Sequence, residues 1–501
     1  MTLTTTAPSP ARTGHPTGLY VLFFTEMWER FSYYGMRAIL LLFLIDNVRG
    51  GMGMSAAEGG AIYGIYTASA YLMPLPGGWL SDRYLGQRRS IWYGGIVIMI
   101  GHILLAIPAG AALFYAGLAT VAIGTGLLKP NISTTVGELY PEGGARRDAA
   151  YSIFYMGINL GSLLGITIVG YLGQKVGWHY GFGAAAVGML LGLVVFRTFG
   201  KRHLASVGNV PPLANQAVST SQRSGSSGSV IVFALVMVGS IAALQFAGLV
   251  NLGTAQGLAQ AMGVIISLIA LGYFGFLLLA GGLTQTEKLR VVVLFFFVLA
   301  AATYWAGNEQ QGSSLQLFAE RFTELTVFGF EIPSSWFQNL NPFFILTLSP
   351  VLAGLWVFLA NRRLSYAAPA KMATGLLLLG LAYVVMVFAA REALTGVRTT
   401  PLYLVVTYLF FTLGELFISP VGLSAFSKLA PKQYGSQLMG IWFIATSLGN
   451  LIAGLLASGF DEKNVAQMPE LFQSVAIFSL GAGVVLLLLS KPLKRWMGGV
   501  D

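Results

Sequence analysis

The sequence predicts an all-α integral membrane protein, on three observations. Of its 501 residues, 55% are hydrophobic and only 10% are charged, a balance outside the range of soluble globular domains. Apolar stretches of about 20 residues, the length a helix needs to cross the hydrocarbon core, recur from Gly18 almost to the C-terminus. The connections between them are short and polar, so continuous helical spans and not a strand barrel are expected.

Residues 1–17 contain Pro, Thr and a single Arg12 but no apolar core or small-residue cleavage site, so they are expected to be a cytoplasmic tail and not a signal peptide. The first span, 18–45, contains T-E-M-W-E-R-F-S-Y-Y-G-M-R. At 100° per residue, Glu26, Glu29, Arg30, Tyr33 and Arg37 share one face, with Trp28, Phe31, Ser32 and Gly35 on the other. Each charge costs about 2.5–3.5 kcal/mol at a helix centre, so the stripe needs mutual pairing and a water-filled cavity. A static ion-pair cluster holding helices in register is the alternative.

A second span, 57–80, leads into the loop G-G-W-L-S-D-R-Y-L-G-Q-R-R and a third span, 90–108. In the fourth, 111–138, G-T-G-L-L-K-P-N places Lys129 inside an apolar helix, and Pro130 leaves the Gly126 carbonyl without its helical donor. Lys129 is a candidate partner for Glu26 or Glu29, and a pair that exchanges partners when a proton arrives links protonation to movement. In the fifth span, 150–172, Gly157, Gly161 and Gly165 form a small-residue ridge for close helix packing. A sixth span covers 180–200.

Residues 201–228, rich in Ser, Gly, Pro and Asn, are the expected linker between two halves. Spans 229–250 and 259–281 contain no charge and are expected to be lipid-facing packing helices with no functional role of their own. After a loop at 282–289, six further spans follow: 290–313, 336–360, 370–390, 401–428, 433–459 and 468–490, then a tail at 491–501. The chain thus divides into six-helix sets at 18–200 and 290–490 around a two-helix insertion at 229–281, about fourteen helices in all. Sequence identity between the two sets is not visible, although such repeats are common in membrane transport folds.

The formal net charge of +10 does not require a nucleic acid partner, because the basic residues sit in loops. With the N-terminus cytoplasmic, inside loops collect Arg83, Arg88, Arg89, Arg146, Arg147, Arg197, Lys201, Arg202, Arg223, Lys288, Arg290, Arg362, Arg363 and the C-terminal cluster. The opposite loops hold Arg49, Lys175, Arg321, Arg391, Arg398 and Lys463. The positive-inside rule therefore predicts that both termini are cytoplasmic, with membrane lipid as the surroundings. No cysteine is present, and His15, His102, His179 and His203 are far apart in sequence. No metal, cofactor or catalytic nucleophile is indicated, and an enzyme is not expected.

Two acids stand out in the second half: Glu309 in W-A-G-N-E-Q-Q-G-S-S, near the end of its span, and Glu415, deep in F-F-T-L-G-E-L-F-I-S-P. Acids on one half and bases on the other suit a solute with an ammonium at one end and a carboxylate at the other. Glu415 would hold the former; Arg37 with Lys129 would hold the latter. Tyr33, Tyr71, Trp305 and Trp442 are candidate pocket walls, though single aromatics are more often packing. Asn159 and Asn341 are amides suited to a ligand backbone or to a neighbouring helix.

The loop after the second span, with Gly78, Asp82, Arg83, Gly86, Arg88 and Arg89, resembles the cytoplasmic loop motif of the major facilitator superfamily, whose charges act as a conformational gate. Within that superfamily, E-M-W-E-R-F-S-Y-Y-G, G-T-G-L-L-K-P-N and F-Y-M-G-I-N-L-G-S resemble the signatures of the proton-dependent oligopeptide transporters (POT/PTR). W-A-G-N-E-Q-Q-G-S-S, L-N-P and G-E-L-F-I-S-P-V-G-L extend the likeness over the second half, and the two uncharged extra helices resemble those of prokaryotic members.

The resemblance implies two six-helix bundles plus two extra helices, working as a proton-coupled symporter of di- and tripeptides in the bacterial cell membrane. It implies that Glu26, Glu29 and Arg30 with Lys129 couple the proton, and that Glu309 is also protonated. It further implies that Arg37 and Lys129 lie near the peptide carboxylate, and that Asn159, Asn341 and Glu415 lie near its amine. Tyr71 is placed by its spacing to Asp82. Asn308 stands where some relatives carry a second acid. A monomer is expected, with protons as coupling ion and no other cofactor. Transport of nitrate or another small organic solute is the nearest rival, but such relatives tend to lose the paired acids of the first span.

Overall fold

The computed structural model describes residues 14–142, 144–205, 207–208, 239–362, 367–457 and 465–499. The expected tail over 1–13, residues 206 and 209–228 of the linker, and the first part of the span 229–250 lie outside the described residues. Arg12, Arg223, Arg363 and Lys463 of the charge pattern lie outside them too.

Among the described residues, 11 helices are long and apolar enough to cross a membrane. The first half comprises α1 (Thr17–Ile45), α2 (Ala56–Leu72) continued by α3 (Pro74–Leu80), α4 (Gln87–Ala106), α5 (Ala111–Glu138), α6 (Gly144–Tyr171) and α7 (Trp178–His203). Residues 239–246 are helical and precede α8 (Ala255–Ala280). The second half comprises α9 (Gln285–Asn308), the short α10 (Ser314–Phe322), α11 (Leu340–Asn361), α12 (Ala368–Ala393), α13 (Leu402–Leu429), α14 (Gly435–Ala457) and α15 (Met468–Trp496). At 29 residues α1 is long enough to span, but its buried Glu26, Glu29, Arg30 and Arg37 set it apart from the apolar set.

The two halves repeat each other in packing. α1 lies on α6 and α7 as α9 lies on α14 and α15; α4 lies on α5 and α7 as α12 lies on α13 and α15; α3 meets α5 as α11 meets α13. The repeat is held by shape: apolar helices of many sequences satisfy the same ridge-and-groove contacts, which is why it leaves no visible identity. The ridge in α6 behaves as expected, with Gly161 against the Met27 carbonyl and Gly165 against that of Phe31, both on α1.

Between the halves, α2 packs along α14 and α6 along α11. Gly60 and Gly64 of α2 face Gly454 of α14 so closely that a Cβ on Gly454 would stand 2.5 Å from the Gly60 carbonyl oxygen. α8 touches both α2 and α14, so this helix lies at the seam between the bundles.

The second expected span is interrupted at Met73, because Pro74 brings no N–H to the helical ladder. α5 continues through Pro130, and α3 comes in against it: a Cβ on Gly77 would lie 2.1 Å from the Gly126 carbonyl oxygen that Pro130 leaves free. α7 runs three residues into the expected linker, to His203. The connection between α9 and α11 holds α10, a two-stranded hairpin (Thr326–Val327 with Phe330–Glu331) and a 3-10 turn at Ser334–Asn339. The hairpin turns through Phe328 and Gly329, both at positive φ.

Candidate functional site

The charged face of α1 is buried. Arg30 Nε lies 3.1 Å from Glu26 Oε1, one helical turn earlier, and also pairs with Glu29. One oxygen of each acid and the Nη2 of Arg30 find no protein partner, nor do the Tyr33 and Tyr66 hydroxyls. In a buried site such atoms demand water. The guanidinium stands over Tyr33 at 5.1 Å and over Tyr34 at 5.8 Å.

Two turns beyond Arg30, Arg37 reaches out of its own bundle. Its Nε donates to the Tyr63 hydroxyl of α2 at 2.7 Å, and its Nη2 forms an ion pair with Glu309, where α9 gives way to a 3-10 turn. This pair joins the two halves in the protein interior, since both side chains are buried. The carboxylate of the chain itself thus occupies the guanidinium expected to receive a ligand carboxylate. Tyr34 also lies under Arg37 at 5.8 Å, so its ring sits between the two arginines of α1. Tyr34 and Tyr63 were not among the expected site residues. Tyr34 was within reach, being four residues after Arg30 and three before Arg37, whereas nothing in the sequence pointed to Tyr63.

Lys129 corrects an expectation. It makes no ion pair with Glu26 or Glu29, because Arg30 serves both from their own helix. Its ammonium instead rests 3.9 Å from the ring centre of Tyr71. Tyr71, placed by spacing alone, is thereby the aromatic partner of the intramembrane lysine.

In the second half, Asn341 Nδ2 donates to Glu415 Oε2 at 3.0 Å and approaches Thr412 Oγ1 at 3.3 Å, so α11 and α13 bring the expected acid and amide together. Asn159 donates to the Tyr155 carbonyl of its own helix at 3.0 Å. Trp305 is half-buried with its indole N–H unpartnered. Trp442 is turned away from the role expected for it: it is 3% exposed, fills the space left by Gly422 and packs on Phe426. A flat ring and a facing glycine complement each other in the core, and that packing is stronger than exposure to a polar cavity.

A cavity of about 1240 Å³ opens between α6 and the helices α11, α12 and α13. Glu415 lines it, with Tyr155, Trp356 and Ser419 on its walls and Lys371, Lys428 and Met497 at the end where the chain termini lie. The opposite end is closed by bonds between the halves. Gln174, after α6, donates to Glu320 Oε2 at 3.0 Å and Ser334 Oγ at 2.9 Å, and accepts from the Ser335 N–H at 3.1 Å. Trp336 Nε1 donates to the Thr167 carbonyl at 3.0 Å, and Asn339 to the Thr167 hydroxyl at 2.9 Å. Arg49 lies 3.5 Å from Glu320 and stacks on Trp178 at 4.8 Å.

The expected gate lies at the open end. Gly78 faces Pro130, and Gly86, at φ 74°, turns the chain from a π-turn (Ser81–Leu85) into α4. Asp82 and Arg83 are exposed, Arg83 over the Trp79 ring at 5.4 Å, and neither forms an ion pair among the described residues. Although its surface is exposed, desolvation by its neighbours pushes the Asp82 carboxyl above the ordinary range. The Arg88 N–H donates to the Gly208 carbonyl at 3.0 Å.

Two bundles related by a packing repeat, a cavity between them open at one end and a charged network inside the membrane define a secondary transporter of the major facilitator fold. The sequence pattern of the POT family matches residues 88–472, and the chain belongs to that family. It is 40% identical to the peptide transporter YePEPT of Yersinia enterocolitica, over 97% of this chain and 96% of that protein. It is 36% identical to a di-/tripeptide transporter of Lactococcus lactis, over 97% of both. A crystal structure of a POT peptide transporter in complex with alafosfalin superposes with a TM-score of 0.85 at 39% identity, covering 98% of each chain.

Proposed function

We propose that the chain is a proton-coupled symporter that imports di- and tripeptides by alternating access, as a monomer in the bacterial inner membrane with both termini cytoplasmic. The observation that carries this reading is the buried Arg37–Glu309 pair between the bundles. Protonation of Glu309 releases Arg37 to a peptide carboxylate, and loss of that proton returns the arginine to Glu309 once the peptide has left. Glu415, already oriented by Asn341, receives the peptide amine. Glu26, Glu29 and Arg30 form a second exchangeable charge set, with Lys129 within the same half. The relatives named for peptide transport support the substrate class.

One proton moving down about 100 mV supplies about 2.3 kcal/mol, enough for roughly fifty-fold accumulation at about 1.4 kcal/mol per decade. The test is uptake into liposomes under an inside-negative potential with acid outside, comparing dialanine with nitrate, with and without a protonophore. Dialanine accumulation abolished by the protonophore is expected. Nitrate uptake without dialanine uptake, in folded protein, overturns the substrate assignment.

A further inference from the structure

Away from the central cavity, α4 and α7 pack side by side with a second hollow between them at the end where the termini lie, about 590 Å³ in volume. Arg88, Arg89, Arg197 and Lys201 line it, with Trp92 and Tyr93 on its wall and the buried Phe196 as its floor. Among the described residues, no acidic side chain lines it. The neighbouring carboxylate, Glu138, is committed to the Gln87 amide at 2.7 Å and the Gly208 N–H at 3.0 Å. Arg197 is stacked over the Trp92 ring at 5.5 Å, which fixes its guanidinium at the rim. Arg89, Arg197 and Lys201 converge on one hollow, and like charges held together repel each other unless an anion joins them.

The surface below the hollow says what kind of anion. Along α4, Arg89, Tyr93 and Ile100 follow each other at helical spacing on one outward face; along α7, Lys201, Arg197, Val194 and Leu190 do the same. Each stripe is basic at the terminal end and apolar beyond it, with Ile100 44%, Val194 52% and Leu190 46% exposed. A dissolved phosphate would use only the basic end. An amphiphile uses both.

We propose that this hollow is a binding site for the phosphodiester headgroup of an anionic lipid, whose acyl chains lie along the apolar stripes of α4 and α7. Arg197 and Lys201 hold the phosphate from one helix and Arg89 from the other, while Tyr93 sits at the level where aromatic side chains meet headgroups. The site is distinct from the peptide cavity and stands whether or not the peptide assignment does.

Native mass spectrometry of the purified full-length chain in detergent, titrated with phosphatidylglycerol, phosphatidylcholine or inorganic phosphate, tests it. A basic residue near an anionic lipid surface is worth about 1 kcal/mol, a factor of about five in affinity. Arg197→Gln with Lys201→Gln is therefore expected to weaken phosphatidylglycerol binding about 25-fold. Arg197→Lys with Lys201→Arg, which keeps the charge, should bind as the unsubstituted chain does, guarding against misfolding. Lys288→Gln with Lys491→Gln, the same charge change elsewhere at that end, should have little effect. Equal weakening by the two neutralising pairs overturns the site, as does equal binding of phosphatidylcholine. Inorganic phosphate binding as tightly as the lipid, and lost in the same variant, assigns the hollow to a dissolved anion and overturns the lipid reading.

Discussion

Gln174 offers the most direct perturbation of the closed end. Its side chain makes three hydrogen bonds to the other half of the molecule, one of them to the carboxylate of Glu320. Neutral hydrogen bonds contribute about 1 kcal/mol each and those to charged groups about 1.5–3. Glu320 keeps its bond from the Ser334 hydroxyl at 2.5 Å when Gln174 is removed, so no buried charge is stranded. Gln174→Ala should therefore weaken closure by about 3.5–5 kcal/mol, a population shift of at least about 400-fold. The natural chain has no cysteine, so spin labels can be introduced without background at Val48→Cys and Val397→Cys, both exposed at the closed end in opposite halves. Distance measurement by double electron–electron resonance should show a single short population in the parent pair and a new longer one with Gln174→Ala. An unchanged distribution, with and without saturating dialanine, refutes the idea that this network holds the closed end shut.

Glu29→Gln should abolish proton-driven accumulation while leaving exchange of labelled for unlabelled peptide measurable; normal accumulation in that variant removes Glu29 from the coupling route. Glu415→Ala should weaken uptake of free-amine peptides tenfold or more, as loss of a charged hydrogen bond of about 1.5–3 kcal/mol requires, and should affect amine-blocked analogues far less; equal loss for both denies it the amine. Gly454→Val places branched carbons against the Gly60 carbonyl, and the same pair of spin labels should report a separated closed end. Asp46, at the end of α1, loses hydration by burial, but hydrogen bonds from Trp178 Nε1 and the backbone N–H groups of Arg49, Val48 and Gly51 outweigh this and hold its carboxyl below the ordinary range. Its stabilisation is present above the unfolded-state value and lost as the pH falls through the folded one. Thermal unfolding of Asp46→Asn should thus fall below the parent at neutral pH, and the gap should close with acidification below about pH 4.

The parts of the site legible in the sequence were those that violate the solvent. Glu26, Glu29, Arg30 and Arg37 were visible because charge in a hydrocarbon span is costly, and Glu415 because an acid with apolar neighbours on both sides needs a partner. What was not legible was partnership. Arg37 and Glu309 were singled out separately, one for a ligand carboxylate and one for a proton, and nothing in either segment says that they pair across 272 positions. Lys129 was expected on the acids of α1 because its own helix does not reveal that Tyr71 lies nearer. Trp442 went to the core because the complementary gap belongs to Gly422 on another helix. The hairpin after α10 was invisible for a different reason: strands of two residues carry no period to read.

The two sets of contacts joining the halves differ in a way that bears on coupling. At the closed end the bonds are mostly between amides, hydroxyls and backbone groups, which do not titrate in the working range. The Arg37–Glu309 pair is buried and contains a group whose charge a proton cancels. If closure were held only by the outer network, opening would be indifferent to the proton and the two gradients would not be tied together. If it were held only by the ion pair, a proton alone would open the molecule and leak. In the proposed mechanism, requiring both makes the proton necessary but insufficient: it frees the arginine, and a peptide carboxylate must then replace Glu309 before the buried guanidinium is again paired. On that proposal, the cost of leaving the cation unpaired, several kcal/mol in a buried site, is what forbids the proton from crossing without its peptide. The critical variant is therefore Arg37→Lys with Glu309 intact, since a lysine retains charge but not the paired donors that reach Tyr63 and a carboxylate together. It should conduct protons in the absence of peptide, read as acidification of liposomes containing a pH dye, and tight coupling in that variant would remove the geometry of Arg37 from the mechanism.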